Sequence, residues 1–191
     1  MQREEILAAA AQIFRDKGYH ATSMQDIAEA VHLQKGSLYH HIRSKEEILA
    51  SLLDRALDLL ILSMQEVMAS PLSVEQKLRS AMRMYADNIA VHSDLAAVLL
   101  LEYRNLSPRL RARHMGRRDR FEALWRELLR QGMQQGVFRT SDEKLVALAI
   151  LGVQNWMLTW YRPEGPLSAA ELSNRFADLF LNGLLTHGAS D

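Results

Sequence analysis

The sequence has no cysteine, only four prolines and few aromatic residues, and its 191 residues carry no net charge. The absence of cysteine excludes disulfides and thiolate metal sites within this chain. No apolar run reaches the roughly 20 residues that a membrane-spanning helix needs. The first residues, Met-Gln-Arg-Glu-Glu, lack the apolar core of a signal peptide. We therefore expect a cytoplasmic globular protein with no membrane partner.

The lack of net charge at first argues against a nucleic-acid partner, because phosphate binding needs clustered Lys and Arg. The distribution of the charge matters more than its sum. Residues 32–45 contain three cations and three histidines but no acidic residue. The positive charge of the N-terminal part is thus confined to one short stretch.

Apolar residues recur at helical spacing along the whole chain, and no stretch shows the alternation of a strand. A stripe in residues 3–17 ends at Gly18, and short helices are predicted at 24–31 and 35–41. A long helix follows and ends before Pro71, because proline lacks an amide donor. Together with five later segments, this pattern predicts an all-α protein of about nine helices.

Serine residues mark most of the predicted helix starts. Capping boxes are predicted at Ser23–Asp26, Ser44–Glu47, Ser73–Gln76 and Ser168–Glu171. Single serine caps are predicted at three further helices: Ser93 begins one to about Arg104, Ser107-Pro108 begins the longest, and Ser141 begins the eighth. Gly136 is expected to end the longest helix, near Gln135.

Residues 22–49 predict a helix-turn-helix, in which two short helices cross over a turn. The inner face is apolar and consists of Ile27, Ala28, Val31, Leu33, Leu38 and Ile42. The outer face offers small polar and basic groups for DNA: Ser23, Gln25, Gln34, Lys35, Gly36, Ser37, Tyr39, His40, His41 and Lys45. Lys prefers guanine acceptors and Gln prefers adenine, so the residues best placed for base edges are Gln25, Lys35 and Ser37. Phosphate contacts are expected from Ser23, Tyr39, His41 and Lys45.

Three segments within this stretch resemble, at matching spacing, the DNA-binding signature of the TetR family of transcriptional repressors. They are Asp26-Ile27-Ala28, Lys35-Gly36-Ser37-Leu38-Tyr39-His40-His41 and Ser44-Lys45-Glu46. The resemblance implies a three-helix helix-turn-helix DNA-binding domain in residues 1–46 and a helical ligand-binding and dimerisation domain in residues 47–191. It also implies a homodimer that reads a palindromic operator in double-stranded DNA.

Three positions depart from the family pattern. His32 stands where a turn glycine is usual, Gln34 where a small capping residue is common, and Ile42 where Phe is usual. His tolerates a left-handed backbone better than most residues, so we expect local strain at His32 without loss of the fold.

The same resemblance implies that the last two helices form a four-helix bundle between subunits. The predicted interface residues are Leu148, Leu151, Gly152, Leu172, Phe176, Leu179, Phe180 and Gly183. The alternative is that both apolar stripes face the core of their own chain.

A ligand-responsive regulator also needs a pocket. The predicted lining residues are Met64, Met68, Tyr85, Tyr103, His114, Arg117, Arg118, Phe121, Trp125, Asn155 and Trp156. Core filling is the alternative for each apolar member. Arg117 and Arg118 lie on the apolar stripe of their helix, where cations are costly unless paired. Either they pair with Glu102 or they bind an anionic ligand.

Residues 160–167, Trp-Tyr-Arg-Pro-Glu-Gly-Pro-Leu, resemble the joint before the last helix in TetR regulators of lipid, sterol or aromatic-acid breakdown that respond to acyl-CoA thioesters. The resemblance implies that the inducer is an acyl-CoA or another amphipathic acid. The alternative for these residues is a purely structural turn. We expect the ligand to weaken DNA binding, with the long fourth helix as the lever.

An enzyme is not expected. Ser141 and Lys144 fit a Ser-x-x-Lys pattern, but a serine followed by acids is typical of a helix start. The seven histidines show no metal-ligand spacing, so neither a metal nor another cofactor is expected. The prediction is a ligand-responsive repressor that an amphipathic or anionic ligand releases from its operator. The alternative is a helical small-molecule-binding protein without operator binding.

Overall fold

The computed structural model describes residues 2–184, and within them the chain forms nine α-helices, as the helical spacing predicts. They are α1 (Gln2–Lys17), α2 (Met24–Ala30), α3 (Lys35–His41), α4 (Lys45–Ala69), α5 (Val74–Val91), α6 (Ser93–Ala97), α7 (Pro108–Gln134), α8 (Glu143–Trp160) and α9 (Ala169–Leu184). The predicted end of the last helix near Thr186 lies outside the described residues. No helix in the described part is long and apolar enough to span a bilayer.

The predicted stop and start signals explain most helix boundaries. Gly18 and Gly136 have φ angles of 80° and 69°, a left-handed conformation that ends α1 and α7 at little steric cost. At Ser23–Asp26, Ser73–Gln76 and Ser168–Glu171, the serine hydroxyl accepts a backbone N–H three residues on, and that residue's side chain accepts the serine N–H. These three capping boxes are confirmed.

Two other predicted caps differ in detail. Ser44 Oγ accepts the Glu47 N–H at 3.0 Å, but the Glu47 carboxylate accepts from the Arg43 N–H at 2.9 Å, so the box at Ser44 is only half formed. Asp142, rather than Ser141, caps α8 by accepting the N–H groups of the second and third helical residues. Both residue types are good caps, and the observed cap lies one residue after the predicted one.

The predicted helix from Ser93 to Arg104 is wrong in its second half. Regular α-helix ends at Ala97, a π-helical turn covers Val98–Glu102, and a 3₁₀ turn covers Tyr103–Asn105. The Glu102 carboxylate accepts hydrogen bonds from the Tyr19 backbone N–H at 3.4 Å and from Asn105 Nδ2 at 2.6 Å. These hydrogen bonds accompany the irregular end of the helix. The spacing of apolar residues does not predict them.

Contacts divide the chain into two compact units. The first unit comprises residues 1–58 and 92–118, and its core contains buried side chains of α1, α2 and α3 such as Phe14, Ile27 and Leu38. Within the described residues, the second unit comprises 59–91 and 119–184, and in it α9 and α8 both pack against α5. The domain boundary predicted after residue 46 stays a prediction.

Candidate nucleic-acid and ligand sites

The two short helices α2 and α3 are locked together by the apolar face that the sequence predicts. Ile27, Ala28, Leu38 and Ile42 are fully buried. His32 in the connecting turn has a φ angle of 54°, so it adopts the left-handed conformation expected where a glycine is usual. The turn therefore keeps its geometry at some cost in backbone strain.

Nearly all the residues predicted to contact DNA lie at the surface of the first unit. Eight of them are exposed and Ser37 is half-buried: the exposed ones are Ser23, Gln25, Gln34, Lys35, Gly36, Tyr39, His40 and His41. Gln34 makes no capping hydrogen bond to α3. Gln25 Nε2 donates to Glu29 at 2.8 Å, so this side chain must exchange an intramolecular bond for any base contact.

Ser23 is fixed by its capping partner. Its hydroxyl and backbone N–H both donate to the Asp26 carboxylate, at 2.8 and 2.7 Å. The hydrogen bonds from Ser23, together with that from Lys17, lower the pKa of Asp26 to about 2. The start of α2 is thus held rigidly, which orients the neighbouring outward side chains.

Lys45 departs from its predicted role as a phosphate ligand. Its Nζ donates to the backbone carbonyls of Tyr19 at 2.7 Å and Thr22 at 2.5 Å, and lies 3.4 Å from that of His20. The ammonium group also lies 4.4 Å from the centre of the Tyr19 ring. Because an ammonium group has three donors, Lys45 is occupied within the protein and fastens α4 to the end of the α1–α2 loop.

The segment 92–107 is tied to the same loop and to α4. Besides the Glu102 bond to Tyr19, the Ser107 N–H donates to Glu46 Oε1 at 2.7 Å, and this bond lowers the pKa of Glu46. Arg15 on α1 pairs with Asp94 on α6. Sequence spacing gave no indication of these contacts, since each joins residues more than 60 positions apart.

Four of the predicted ligand-binding residues belong to the first unit. His114 is 2% exposed, and its ring stacks on Tyr103 with 5.8 Å between ring centres. Within the described residues, neither ring nitrogen of His114 has a hydrogen-bond partner. Burial, followed by the charges of Arg118 and Arg117, lowers the pKa of His114 to about 4, so the ring is neutral at pH 7.

Arg117 does not pair with Glu102, the residue predicted as a partner for Arg117 or Arg118. Arg117 forms ion pairs with Asp54 and Asp58 on α4, and Arg113 also pairs with Asp54. The pairing with Glu102 is therefore wrong for Arg117, and its charge is already compensated without a ligand. The spacing on α7 predicts an inward cation correctly but does not reveal which helix lies opposite.

The other seven predicted ligand-binding residues belong to the second unit. Tyr85, Phe121 and Trp125 form an aromatic cluster, with ring centres 5.9 to 6.3 Å apart. The Tyr85 hydroxyl donates to Asn155 Oδ1 at 2.6 Å. Met64 is fully buried and Met68 is half-buried.

Buried polar atoms lie in the same unit. Trp125 Nε1, Gln154 Oε1 and Ser173 Oγ have no hydrogen-bond partner among the described residues, while Gln154 Nε2 donates to the Met82 carbonyl at 2.6 Å. Gln154 was not among the predicted residues. The sequence feature that could have identified Gln154 is its position: it is a polar residue on the buried stripe of α8, which also contains Ala147, Ile150 and Met157.

Trp156 is 66% exposed, so it does not line an enclosed pocket within its own chain. It lies on an outward stripe of α8, with residues three or four positions apart: Leu145, Leu148, Gly152, Trp156 and Trp160. Leu145, Trp156 and Trp160 are exposed members of this stripe that were not among the predicted interface residues.

Most of the predicted interface residues are accessible. Leu179 and Gly183 on α9 are exposed, and Leu151, Phe176 and Phe180 are half-buried. Leu172 is the exception, because it is 7% exposed and faces its own unit. The exposed side chains of α8 and α9 therefore form an extended apolar surface. The described residues contain no cluster of three side chains that could hold a metal ion.

An apolar α8–α9 surface and an exposed helix-turn-helix define the class of DNA-binding regulators that act as dimers. Residues 6–52 match the family described as "Bacterial regulatory proteins, tetR family", and residues 71–184 match "Tetracyclin repressor-like, C-terminal domain". The chain belongs to the TetR family of transcriptional regulators. It is a transcriptional regulator of this family, whose members are dimers that bind operator DNA.

Three solved structures illustrate the similarity. The TetR family regulator PfmR from Thermus thermophilus is 39% identical with a TM-score of 0.87, over 93% of this chain and 97% of that one. The ketosteroid regulator KstR2 of Mycobacterium tuberculosis is 30% identical with a TM-score of 0.90, over 98% and 96%. AibR, in complex with isovaleryl coenzyme A and operator DNA, is 29% identical with a TM-score of 0.86, over 94% and 97%.

Proposed function

We propose that the operator is read by α3 and the start of α2. Lys35 and Ser37 on α3 and Gln25 on α2 contact base edges, while Tyr39 and His41 contact phosphates. Ser23 also contacts a phosphate, and for this its hydroxyl exchanges the hydrogen bond to Asp26. The support is the exposure of these side chains and the rigid capping of α2. Lys45 is left out of this set because its donors bind backbone carbonyls. Since operator DNA lies in the bacterial cytoplasm, the protein works there, as a regulator and not as an enzyme.

The inducer in this proposal is an acyl-CoA thioester whose binding weakens operator affinity. One observation supports the ligand class: AibR, which is 29% identical over 94% of this chain, is known in complex with both isovaleryl coenzyme A and operator DNA. The weakening of operator affinity is the part of the proposal that the titration below tests. A ligand shifts the protein off DNA only if it binds the other conformation more tightly. The thioester must therefore reach a part of the protein that changes between the two conformations.

The acyl part of the inducer is proposed to bind at the aromatic cluster of the second unit. Tyr85, Phe121 and Trp125 form a buried apolar cluster, and Trp125 Nε1 is a buried donor without a partner among the described residues. A buried unsatisfied donor costs about 1–3 kcal/mol. The thioester carbonyl is an acceptor that would remove this cost, and Gln154 Oε1 is available to a ligand donor.

The test is a titration of the dimer bound to a fluorescent DNA fragment from the gene's own upstream region. Isovaleryl-CoA, longer acyl-CoA thioesters and the matching free acids are added, and release is followed by anisotropy. The Trp125→Phe variant keeps an aromatic ring but loses the indole N–H. It should bind DNA as the original protein does and need about tenfold more thioester for release.

Failure of every thioester to release DNA would overturn the proposed inducer. If the thioesters bind in calorimetry but no upstream fragment is shifted at modest salt, the protein is instead a small-molecule-binding protein without an operator. Release by free acids alone would support the repressor mechanism but would show that the inducer is a free acid rather than a thioester.

A further inference from the structure

Two arginines in the first unit converge on one tyrosine. The guanidinium carbon of Arg118 lies 5.1 Å from the centre of the Tyr103 ring, and that of Arg104 lies 5.8 Å from it. Arg104 Nε also donates to the Tyr103 hydroxyl at 3.4 Å. This hydrogen bond lowers the pKa of Tyr103, and the charge of Arg118 acts in the same direction.

Neither of these two arginines has an acidic partner. Arg113 and Arg117 pair with α4, whereas among the described residues no carboxylate lies within 4 Å of Arg104 or Arg118. Two positive charges that lie against the same ring without a counter-charge favour an anion beside them. A planar guanidinium can bind a phosphate or a carboxylate through two parallel hydrogen bonds.

The buried ring of His114 gives a second, independent indication. It stacks on Tyr103 at an interplanar angle of 28°, next to the same Arg118, and neither ring nitrogen has a partner among the described residues. A buried imidazole that forms no hydrogen bond is costly, and such groups are often kept where a ligand completes them. Tyr103 is therefore flanked by an unsatisfied imidazole and by two uncompensated guanidinium groups.

We propose that Arg104, Arg118 and the Tyr103 hydroxyl form a binding site for the oxyanion of a small organic molecule, with His114 positioning the Tyr103 ring. A phosphate ester and a carboxylate both have the required charge and geometry. This site belongs to the first unit and does not depend on the aromatic cluster proposed for the acyl chain. It can therefore exist whether or not an acyl-CoA is the inducer.

The test is calorimetric titration of the full-length protein, without DNA, with three probes: adenosine 3′,5′-bisphosphate, hexanoate, and adenosine as the uncharged control. We expect saturable binding of the bisphosphate or of hexanoate, and no binding of adenosine. The Arg118→Met variant should bind the anion at least about tenfold more weakly. Arg109→Met, an exposed arginine in the first turn of the same helix, should bind it as the original protein does.

A second measurement follows the His114 ring by NMR. A bound anion offsets the charge of Arg118, so it should raise the pKa of His114, and Arg118→Met should reduce this response. Binding of the bisphosphate alone would identify a phosphate site, and binding of hexanoate alone a carboxylate site. Absence of binding by both anions, or unchanged binding by Arg118→Met with a silent His114, would overturn the proposal. Neither outcome depends on whether thioesters release DNA.

Discussion

At the scale of single residues, Lys45 shows how a position in the family's DNA-binding motif can act through the protein rather than through DNA. If its donors stay on the carbonyls of residues 19 and 22, Lys45→Met should lower the free energy of unfolding by about 1–3 kcal/mol. Operator binding should weaken because the α1–α2 loop loses its attachment. The slope of log affinity against log salt should stay unchanged, since no phosphate contact is removed.

Lys35→Met is the matched comparison, because Lys35 is exposed at the start of α3. This variant should keep the stability of the original protein. If Lys35 neutralises a phosphate as well as reaching a base, the salt slope should fall by about one. Urea unfolding and mobility shifts at several salt concentrations measure both quantities. A reduced slope for Lys45→Met would instead support its original assignment as a phosphate ligand.

His114 makes stability depend on pH in one defined window. Its pKa lies at about 4 in the folded protein and at 6.5 ordinarily, so between these values the unfolded chain binds the proton that the folded one does not. Stability should therefore fall as pH falls from 6.5 to 4, by up to about 3 kcal/mol from this group. His114→Phe should lose less stability over that window in urea unfolding. An identical pH dependence in both proteins would contradict the assignment.

At the scale of elements, two glycines on α7 look equivalent in the sequence but differ in their surroundings. A Cβ at Gly132 would lie 2.1 Å from the Phe138 ring, whereas a Cβ at Gly116 would meet nothing within 4 Å. Gly132→Ala should thus destabilise the protein by about 1–3 kcal/mol, because the buried Phe138 must move. Gly116→Ala should be neutral or stabilise by up to about 1 kcal/mol, from helix propensity. Thermal unfolding would distinguish them, and equal shifts would show that the ring relaxes freely.

The elements also show what sequence reasoning could and could not predict. Helix starts and stops depend on local chemistry, so the capping boxes at Ser23 and Ser168 and the stop at Gly136 were predictable. The irregular turns at 98–105 and the Arg117 pairs with α4 depend on which helix lies opposite. That information is absent from the spacing within one helix. For the same reason Trp156 was predicted for a pocket although it is exposed.

At the scale of the whole molecule, we expect the dimer to form through the apolar surface on α8 and α9. Trp156 is 66% exposed and Leu179 is 70% exposed, and both lie on this surface. A glutamate at position 156 would be an unpaired charge in an apolar interface, which costs about 3–5 kcal/mol. We expect Trp156→Glu to raise the dimer dissociation constant at least about a hundredfold.

The control for this prediction is Leu62→Glu. Leu62 is 58% exposed, and it belongs to α4 rather than to α8 or α9. Analytical ultracentrifugation should show a dimer for Leu62→Glu and a monomer for Trp156→Glu at micromolar concentration. Because one helix-turn-helix covers only a half-site, the monomer should lose affinity for the palindrome and bind a half-site as before. A Trp156→Glu protein that remains dimeric would show that α8 contributes little to the interface. In that case α9 residues such as Leu179 would have to provide most of the contact.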